Sequence, residues 1–441
     1  MHERRIVDDI IIEHLVDDAY YLYNARINSK VLVVSKEICD IVNSYHENKH
    51  LDNILRKYKS NGKNIRTYIE TLNKYGVLGN CSQGYSKTNN RLIVWLGVTN
   101  CCNLKCKYCY IEKNNISMNN DFINSIVNIL EIIVHENQYD ELVVKFTGGE
   151  PLLNLEIVKY AIERMNEQIL IKKHYEILTN GILVNQKLID YIRQNHIAIS
   201  ISLDGNDDYT NRSRMDSVGN TFYDEVMDSI YLLNTNGVMP NIMLTINTDN
   251  VKQLPKIADE FIDRHFKFRF SLEKDILEGT PKLLLQEELL IKQLDKVFDV
   301  MEEKIIQGNL NWKFKFADVR WGINRTSVCS AGRDYIAFSP DGKIGCCGMG
   351  LSKTNIRMDQ SESFLSSLRE IYEEWNYSTE KMEICKKCIW KKCCAGGCPL
   401  QNSVAGNSAG NGIYCNIFKE AIPRLLRIEA LKIYCKRGDY Q

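Results

Sequence analysis

The sequence predicts an α/β protein organised around a parallel sheet, on three observations. Strand-like runs at 92–98, 142–146, 175–178, 198–203, 242–246 and 266–270 alternate with segments of helical spacing. A short strand-plus-helix segment precedes them, and a cysteine-rich segment without that rhythm follows. Repeated strand–helix units make a parallel sheet, either open and doubly wound or a partial barrel. In both, ligands gather at the carboxyl ends of the strands.

The expected domains are 1–88, 89–308 and 309–441. In the first, Tyr20-Tyr21-Leu22-Tyr23 and Val31-Leu32-Val33-Val34 form a hairpin across the polar turn at 24–30. Ser35 stands at a helix N-cap, and Ile38, Ile41, Val42 and Tyr45 follow at helical spacing. Further helical patterns at 51–58 and 65–75 end at Gly76, which makes a small winged-helix module, with 84–90 as the linker out of it. In the second domain the last helix starts at Thr280-Pro281 and carries Leu290, Leu294, Val297, Phe298 and Met301 on one face. In the third, residues 417–434 resume apolar periodicity and are expected to pack back on the rest.

Lysine plus arginine equals aspartate plus glutamate at 56 each, so no global field points to nucleic acid or an acidic membrane. The first thirty residues lack the apolar core of a signal peptide, and no window approaches the roughly 18 apolar residues that span a bilayer. The expectation is a soluble, cytoplasmic chain with no membrane or nucleic-acid partner. A reducing cytosol keeps thiols free, so 16 cysteines point to metal or redox chemistry rather than disulfides. None lies between Cys109 and Cys329, whereas nine lie from Cys329 to Cys415.

Cys102, Cys106 and Cys109 follow the first strand of the alternating region with the spacing C-x3-C-x2-C. Three close thiolates can ligate three irons of a cubane and leave the fourth open to a small molecule. A zinc site normally needs a fourth protein ligand, and no His or Cys follows nearby. Cys101 is read as a buried neighbour pointing the other way. With Tyr108, these cysteines resemble the signature of the radical S-adenosylmethionine (SAM) superfamily, over roughly residues 91–308. The resemblance implies a partial (β/α)6 barrel, a 4Fe-4S cluster that holds SAM, and reductive cleavage to a 5′-deoxyadenosyl radical. It also implies an external electron donor such as flavodoxin or ferredoxin.

Polar groups at the other strand ends match the same family. Gly148, Gly149 and Glu150 follow the second strand; the glycines let backbone approach a ligand, and Glu150 can accept from an ammonium group. Thr179 and Asn180 close the third strand, and Ser202 and Asp204 the fourth, where they would reach ribose and carboxylate. The stretch 204–222 is similar to the subfamily with extra clusters, in which the arginine at the Arg214 position pairs with the cofactor's carboxylate. Arg212 is read as a solvated surface residue.

The later cysteines, with Cys385-x2-Cys388-x5-Cys394-x3-Cys398 at their centre, resemble the SPASM extension, which implies two further 4Fe-4S clusters. By position, Cys385, Cys388, Cys394 and Cys415 would hold the outer one, and Cys329, Cys347 and Cys398 the inner one. Fully ligated relatives draw an eighth cysteine from upstream, absent here, so the inner cluster is expected to have an open iron able to take a substrate thiolate. Cys346 or Cys393 could complete it, although each neighbours a matched ligand and reads as a spare buried thiol. Cys39, Cys81 and Cys435 read as structural.

Anaerobic sulfatase-maturating enzymes share the barrel and cysteine extension but carry an aspartate base where this chain has Gly348. Residues 1–88 are similar to the winged-helix element that binds leader peptides in makers of ribosomally synthesised, modified peptides. The expected interaction is strand addition, with 20–23 and 31–34 as edge candidates. A DNA-binding winged helix is disfavoured because 65–75 offers chiefly Arg66 and Lys74. The resulting expectation is an oxidoreductase that matures a precursor peptide, forming a sulfur-to-carbon thioether of sactipeptide or ranthipeptide type. Carbon–carbon cyclisation, epimerisation and sulfatase-type maturation are the enzymatic alternatives, and an iron–sulfur DNA-binding redox sensor the non-enzymatic one.

Overall fold

A computed structural model describes residues 4–48, 62–78, 90–276, 279–323, 325, 327–358, 364–375, 378–407 and 412–438. The expected helix at 51–58, Cys81 and residues 84–89 of the linker lie outside the described residues. Six parallel strands, β5 (Arg91–Thr99), β6 (Glu141–Gly148), β7 (Lys172–Thr179), β8 (Ala198–Ser202), β9 (Asn241–Ile246) and β10 (Lys267–Leu272), stand side by side in chain order. This is the partial barrel expected from the repeated units.

The sheet also runs past residue 308. β11 (Lys313–Phe316) adds in parallel to β10. β12 (Tyr335–Phe338) adds in parallel to β5 and forms an antiparallel hairpin with β13 (Ile344–Gly345). The cysteine-rich segment is therefore hydrogen-bonded onto the barrel rather than tethered to it.

Period-two alternation decides what each barrel strand shows to which side. Leu92, Val94 and Leu96 of β5, Leu142, Val144 and Phe146 of β6, and Phe268 and Phe270 of β10 are buried in the main core. The intervening Trp95, Lys145, Glu176, Ser202, Thr245 and Arg269 line the concave side, where a cavity of about 1900 Å³ opens. Leu290, Leu294, Val297, Phe298 and Met301 of helix Glu287–Ile306 are buried, as their spacing predicts.

The N-terminal segment holds more than the expected hairpin. β1 (Arg4–Val7), β2 (Ile10–Val16), β3 (Ala19–Asn24) and β4 (Leu32–Ser35) form an antiparallel sheet in that order, followed by helices Lys36–Asn48 and Gly62–Lys74. β3 pairs with β2 on one side and β4 on the other. Residues 20–23 therefore have no free edge, and strand addition there is ruled out; the edges of this sheet are β1 and β4. Alternation splits its side chains between two cores. Ile11, Leu15, Tyr21, Tyr23 and Val33 join the main core, while Ile10, Ile12, Leu22 and Val34 pack with Ile38, Ile41, Val42, Ile69 and Leu72 of the two helices. Burying each such large apolar side chain contributes about 1.5–3 kcal/mol.

The terminal helix, Cys415–Gly438, packs on helix Glu287–Ile306 and on the N-terminal sheet. Its buried Arg427 joins all three: it donates to the carbonyls of His14 (2.8 Å) and Leu15 (2.9 Å) and to Glu302 (3.1 Å), and it faces the buried Glu13 at 3.5 Å. No helix among the described residues is long and apolar enough to cross a membrane.

Candidate active site

The loop carrying Cys102, Cys106 and Cys109 leaves the carboxyl end of β5. It is held as a short ladder against the segment that carries Arg214: Lys105 N–H donates to Met215 O (2.6 Å) and Lys107 N–H to Ser213 O (2.9 Å). Asp249, after β9, clamps both sides of that ladder. It accepts from Lys107 Nζ (2.9 Å), Arg212 Nη2 (2.9 Å) and Ser213 Oγ (2.6 Å). Arg212 is thus a structural partner of the loop, stacked 3.8 Å from the Tyr209 ring, with about a third of its side chain still in solvent. Asp249 was not singled out in the sequence, since nothing in its local spacing marks it.

Three of the expected cofactor residues form a hydrogen-bonded chain behind the cysteines. Arg214 Nη1 donates to Tyr108 Oη (2.8 Å), and Tyr108 Oη donates to Asp204 Oδ2. Asp204 is fully buried and its Oδ1 accepts from Thr245 N–H at 2.9 Å. Burial pushes the Asp204 carboxyl up and the Arg214 charge holds it down; that charge also faces the Cys106 thiol. All nine expected cofactor residues except Asp204 line the cavity; Asp204 stands behind Tyr108.

The glycines after β6 serve the loop itself. A Cβ on Gly148 would lie 2.2 Å from Thr99 O, and one on Gly149 2.0 Å from Cys101 O. Only hydrogens fit, which lets Gly149 N–H donate to Thr99 O (2.6 Å) and Glu150 N–H to Cys101 O (2.8 Å). Glu150 is buried and accepts from Thr179 Oγ1 (2.7 Å), Asn180 N–H (2.8 Å) and Leu152 N–H (3.1 Å). A carboxylate has about four acceptor positions, so one remains for a ligand donor. Asn180 in turn donates to Asn103 Oδ1 (2.7 Å), another loop residue the sequence did not mark. Replacing Gly149 by Ala is expected to displace the cysteine loop. The result to look for is a reconstituted protein that loses the visible absorbance of one cluster while keeping its far-ultraviolet dichroism.

The expected ligand thiols influence one another within three sets, and Cys346 also feels Cys329, as Cys393 feels Cys394 and Cys388. Cys102, Cys106 and Cys109 act on one another; Cys347 is raised to about 12 by burial, then by Cys398 and Cys329. Cys385 is raised to about 12 by burial, then by Cys394, Cys415 and Cys388. Six of these ten thiols, Cys102, Cys106, Cys109, Cys329, Cys347 and Cys398, line the cavity, and the other four lie outside its wall. Tyr110 lies between the first two sets, its hydroxyl pushed up by burial and by Cys109 and Cys347. All these cysteines are free thiols, and no three His, Cys, Asp or Glu among the described residues converge on a point as around a single ion. All-thiol sets of three and four suit iron–sulfur clusters, which spread their ligands over several irons.

The spare thiols are engaged elsewhere. Cys393 Sγ is 2.8 Å from Tyr23 Oη and 3.4 Å from Asn28 Oδ1, and Cys346 Sγ faces Leu368 O at 3.6 Å. Cys101 Sγ faces Asn115 Oδ1 at 3.8 Å. Cys39 is buried in the small N-terminal core.

This fold and loop define a class. Residues 96–261, within the barrel, match the model of the Radical SAM superfamily, which supports an enzyme with SAM and a 4Fe-4S cluster as cofactors. The chain is 26% identical over 356 residues to a cysteine-type anaerobic sulfatase-maturating enzyme of Clostridium perfringens (strain 13 / Type A), covering 74% of this chain and 95% of that one. It is 25% identical over 430 residues to the radical SAM cyclopropyl synthase TigE of Paramaledivibacter caminithermalis, covering 90% of this chain and 87% of that one. Among solved structures, native anSMEcpe with bound AdoMet superposes with a TM-score of 0.64 at 23% identity, covering 77% of this chain and 99% of that one. Streptococcus suis SuiB bound to precursor peptide SuiA gives 0.52 at 16% identity, covering 93% of this chain and 99% of that one. The 93% share of this chain exceeds what residues 89–441 alone can supply, so the likeness in fold extends into the N-terminal segment.

Proposed function

We propose that this enzyme matures a ribosomally made precursor peptide by thioether crosslinking. The observation that carries the reading is the shared cavity: the radical-loop thiols and a three-thiol set face one space, while the four-thiol set stands behind its wall. On this reading Cys102, Cys106 and Cys109 hold the SAM cluster. Cys329, Cys347 and Cys398 hold an inner cluster with an open iron, and Cys385, Cys388, Cys394 and Cys415 hold the outer one. Bound SAM supplies a 5′-deoxyadenosyl radical on reductive cleavage.

The chain's own groups then have definable tasks. Arg214, fixed by Tyr108, presents a guanidinium to the cofactor carboxylate, and the remaining acceptor position of Glu150 takes its ammonium group. Lys274, 3.7 Å from Asp318, lies beside Cys398 and Cys347 and offsets charge at the inner set. In the net reaction one hydrogen atom leaves a substrate carbon for the deoxyadenosyl group. The substrate cysteine loses its proton, and the one electron released as the C–S bond forms would pass to the inner cluster that Cys329, Cys347 and Cys398 would hold. The edges β1 and β4 are the places where a leader strand could add.

Incubation with a cysteine-bearing precursor, SAM and reductant is expected to yield a product two hydrogens lighter per crosslink that resists thiol alkylation. Deoxyadenosine production with unchanged peptide mass would overturn the crosslinking claim. The alternative of sulfatase-type maturation is favoured by likeness over 95% of a sulfatase-maturating enzyme, and it predicts an oxidised cysteine without a crosslink. Against it, a side chain at Gly348 would start 2.9 Å from the Trp95 ring, leaving no room for a base there.

A further inference from the structure

The chain as a whole is neutral, but its cavity is not. Among the described lining residues, fourteen are lysine or arginine and five are aspartate or glutamate. Some of this excess is matched locally: Lys145 pairs with Glu176 at 2.6 Å, and Lys274 and Arg320 stand near Cys398 and Cys329 of the inner set. Of the others, four form a grid on two neighbouring strands. Parallel register sets Lys267 opposite Lys313 and Arg269 opposite Lys315, all four facing the cavity. Lys267 and Lys313 open their strands, so the grid lies at the amino ends, away from the cysteine loop at the carboxyl end of β5.

Like charges directly opposite on a sheet repel. Arg269 shares Asp318 with Lys274, whereas Lys267, Lys313 and Lys315 have no acidic partner within ion-pair distance among the described residues. A fold that keeps four cations side by side in its substrate cavity is stabilised when an anion sits among them. The spacing says what kind. Cations two residues apart on one strand lie about 6.6 Å apart, and the rows about 4.8 Å apart. An extended peptide repeats its side chains on one face at the same interval of about 6.6 Å.

Resting on the peptide-substrate reading above, we propose that this end of the cavity binds an extended acidic stretch of the substrate, with alternate Asp or Glu carboxylates on Lys267, Arg269, Lys313 and Lys315. The grid then sets which peptides enter and which segment lies at the radical end.

The test uses reconstituted full-length protein and a rhodamine-labelled probe, Ac-Glu-Val-Glu-Val-Glu-Val-amide, read by fluorescence anisotropy. Its Gln-for-Glu counterpart is expected to bind about 10-fold more weakly, and added salt to remove most of the difference. Lys267→Gln/Lys315→Gln is expected to lose about the same factor for the Glu peptide only, and Lys267→Arg/Lys315→Arg to retain it. Circular dichroism and iron content show that each variant is folded and loaded. Equal binding of the Glu and Gln peptides overturns the charge inference and leaves the peptide-maturase reading to its own mass assay. A single-stranded oligonucleotide of equal charge that binds more tightly than the Glu peptide also overturns it, and so does failure of the Glu peptide to bind.

Discussion

Cys106→Ala is expected to abolish 5′-deoxyadenosine formation and to remove about four irons per chain. Cys106 sits between the two backbone bonds that hold the loop on residues 213–215, and it faces the Arg214 charge. On the proposed ligation, losing Cys106 would expose the cluster edge beside the SAM site. Cys101 is turned toward Asn115. Iron analysis and anaerobic product detection check both halves. Retention of full iron with unchanged deoxyadenosine would sink the assignment of the loop. Cys385→Ala is the useful contrast, because its set lies outside the cavity: iron should fall while deoxyadenosine is still made.

Arg427→Ala is expected to destabilise the protein by about 2–4 kcal/mol, since two buried carbonyls lose their donor at about 1–3 kcal/mol each. Two carbonyls, of His14 and Leu15, lose their donor, while Glu13 keeps Arg4 at 2.5 Å and Glu302 keeps Arg424 at 3.2 Å. Arg424, three residues earlier, gives the scale. It also pairs with acids, Asp299 at 2.6 Å and Glu302 at 3.2 Å, but its side chain is 21% exposed and Asp299 is 65% exposed. Arg424→Ala should therefore cost only about 0–1 kcal/mol. Urea titrations of both variants, followed by tyrosine fluorescence, separate the two; equal midpoints would mean that burial of Arg427 does not decide its contribution.

The six barrel strands were legible because each alternates or runs apolar over enough residues to stand out. β11, β12 and β13 were not, since four, four and two residues carry too little pattern, and their pairing is set by partners far along the chain. β2 hid for a different reason. Its buried Glu13 reads as a solvent position until Arg4 at 2.5 Å and Arg427, 414 residues away, are seen to face it. In the site, cysteine spacing was visible because ligation demands it. Asp249 and Asn103 were invisible because they act only across tertiary contacts. Gly148 and Gly149 stood out as glycines, but their task, close approach to Thr99 and Cys101, appears only when the two loops meet.

The N-terminal sheet, with one face in each of two cores, limits how such enzymes can be recombined. One set of alternate side chains is committed to the catalytic body through Ile11, Tyr21, Tyr23 and Val33. The other set answers only to its own two helices. A graft that exchanges residues 1–88 as a block therefore carries a foreign surface into the main interior, whereas a graft of the outward face and its helices does not. The exchangeable part of this segment is a veneer, replaceable one residue in two.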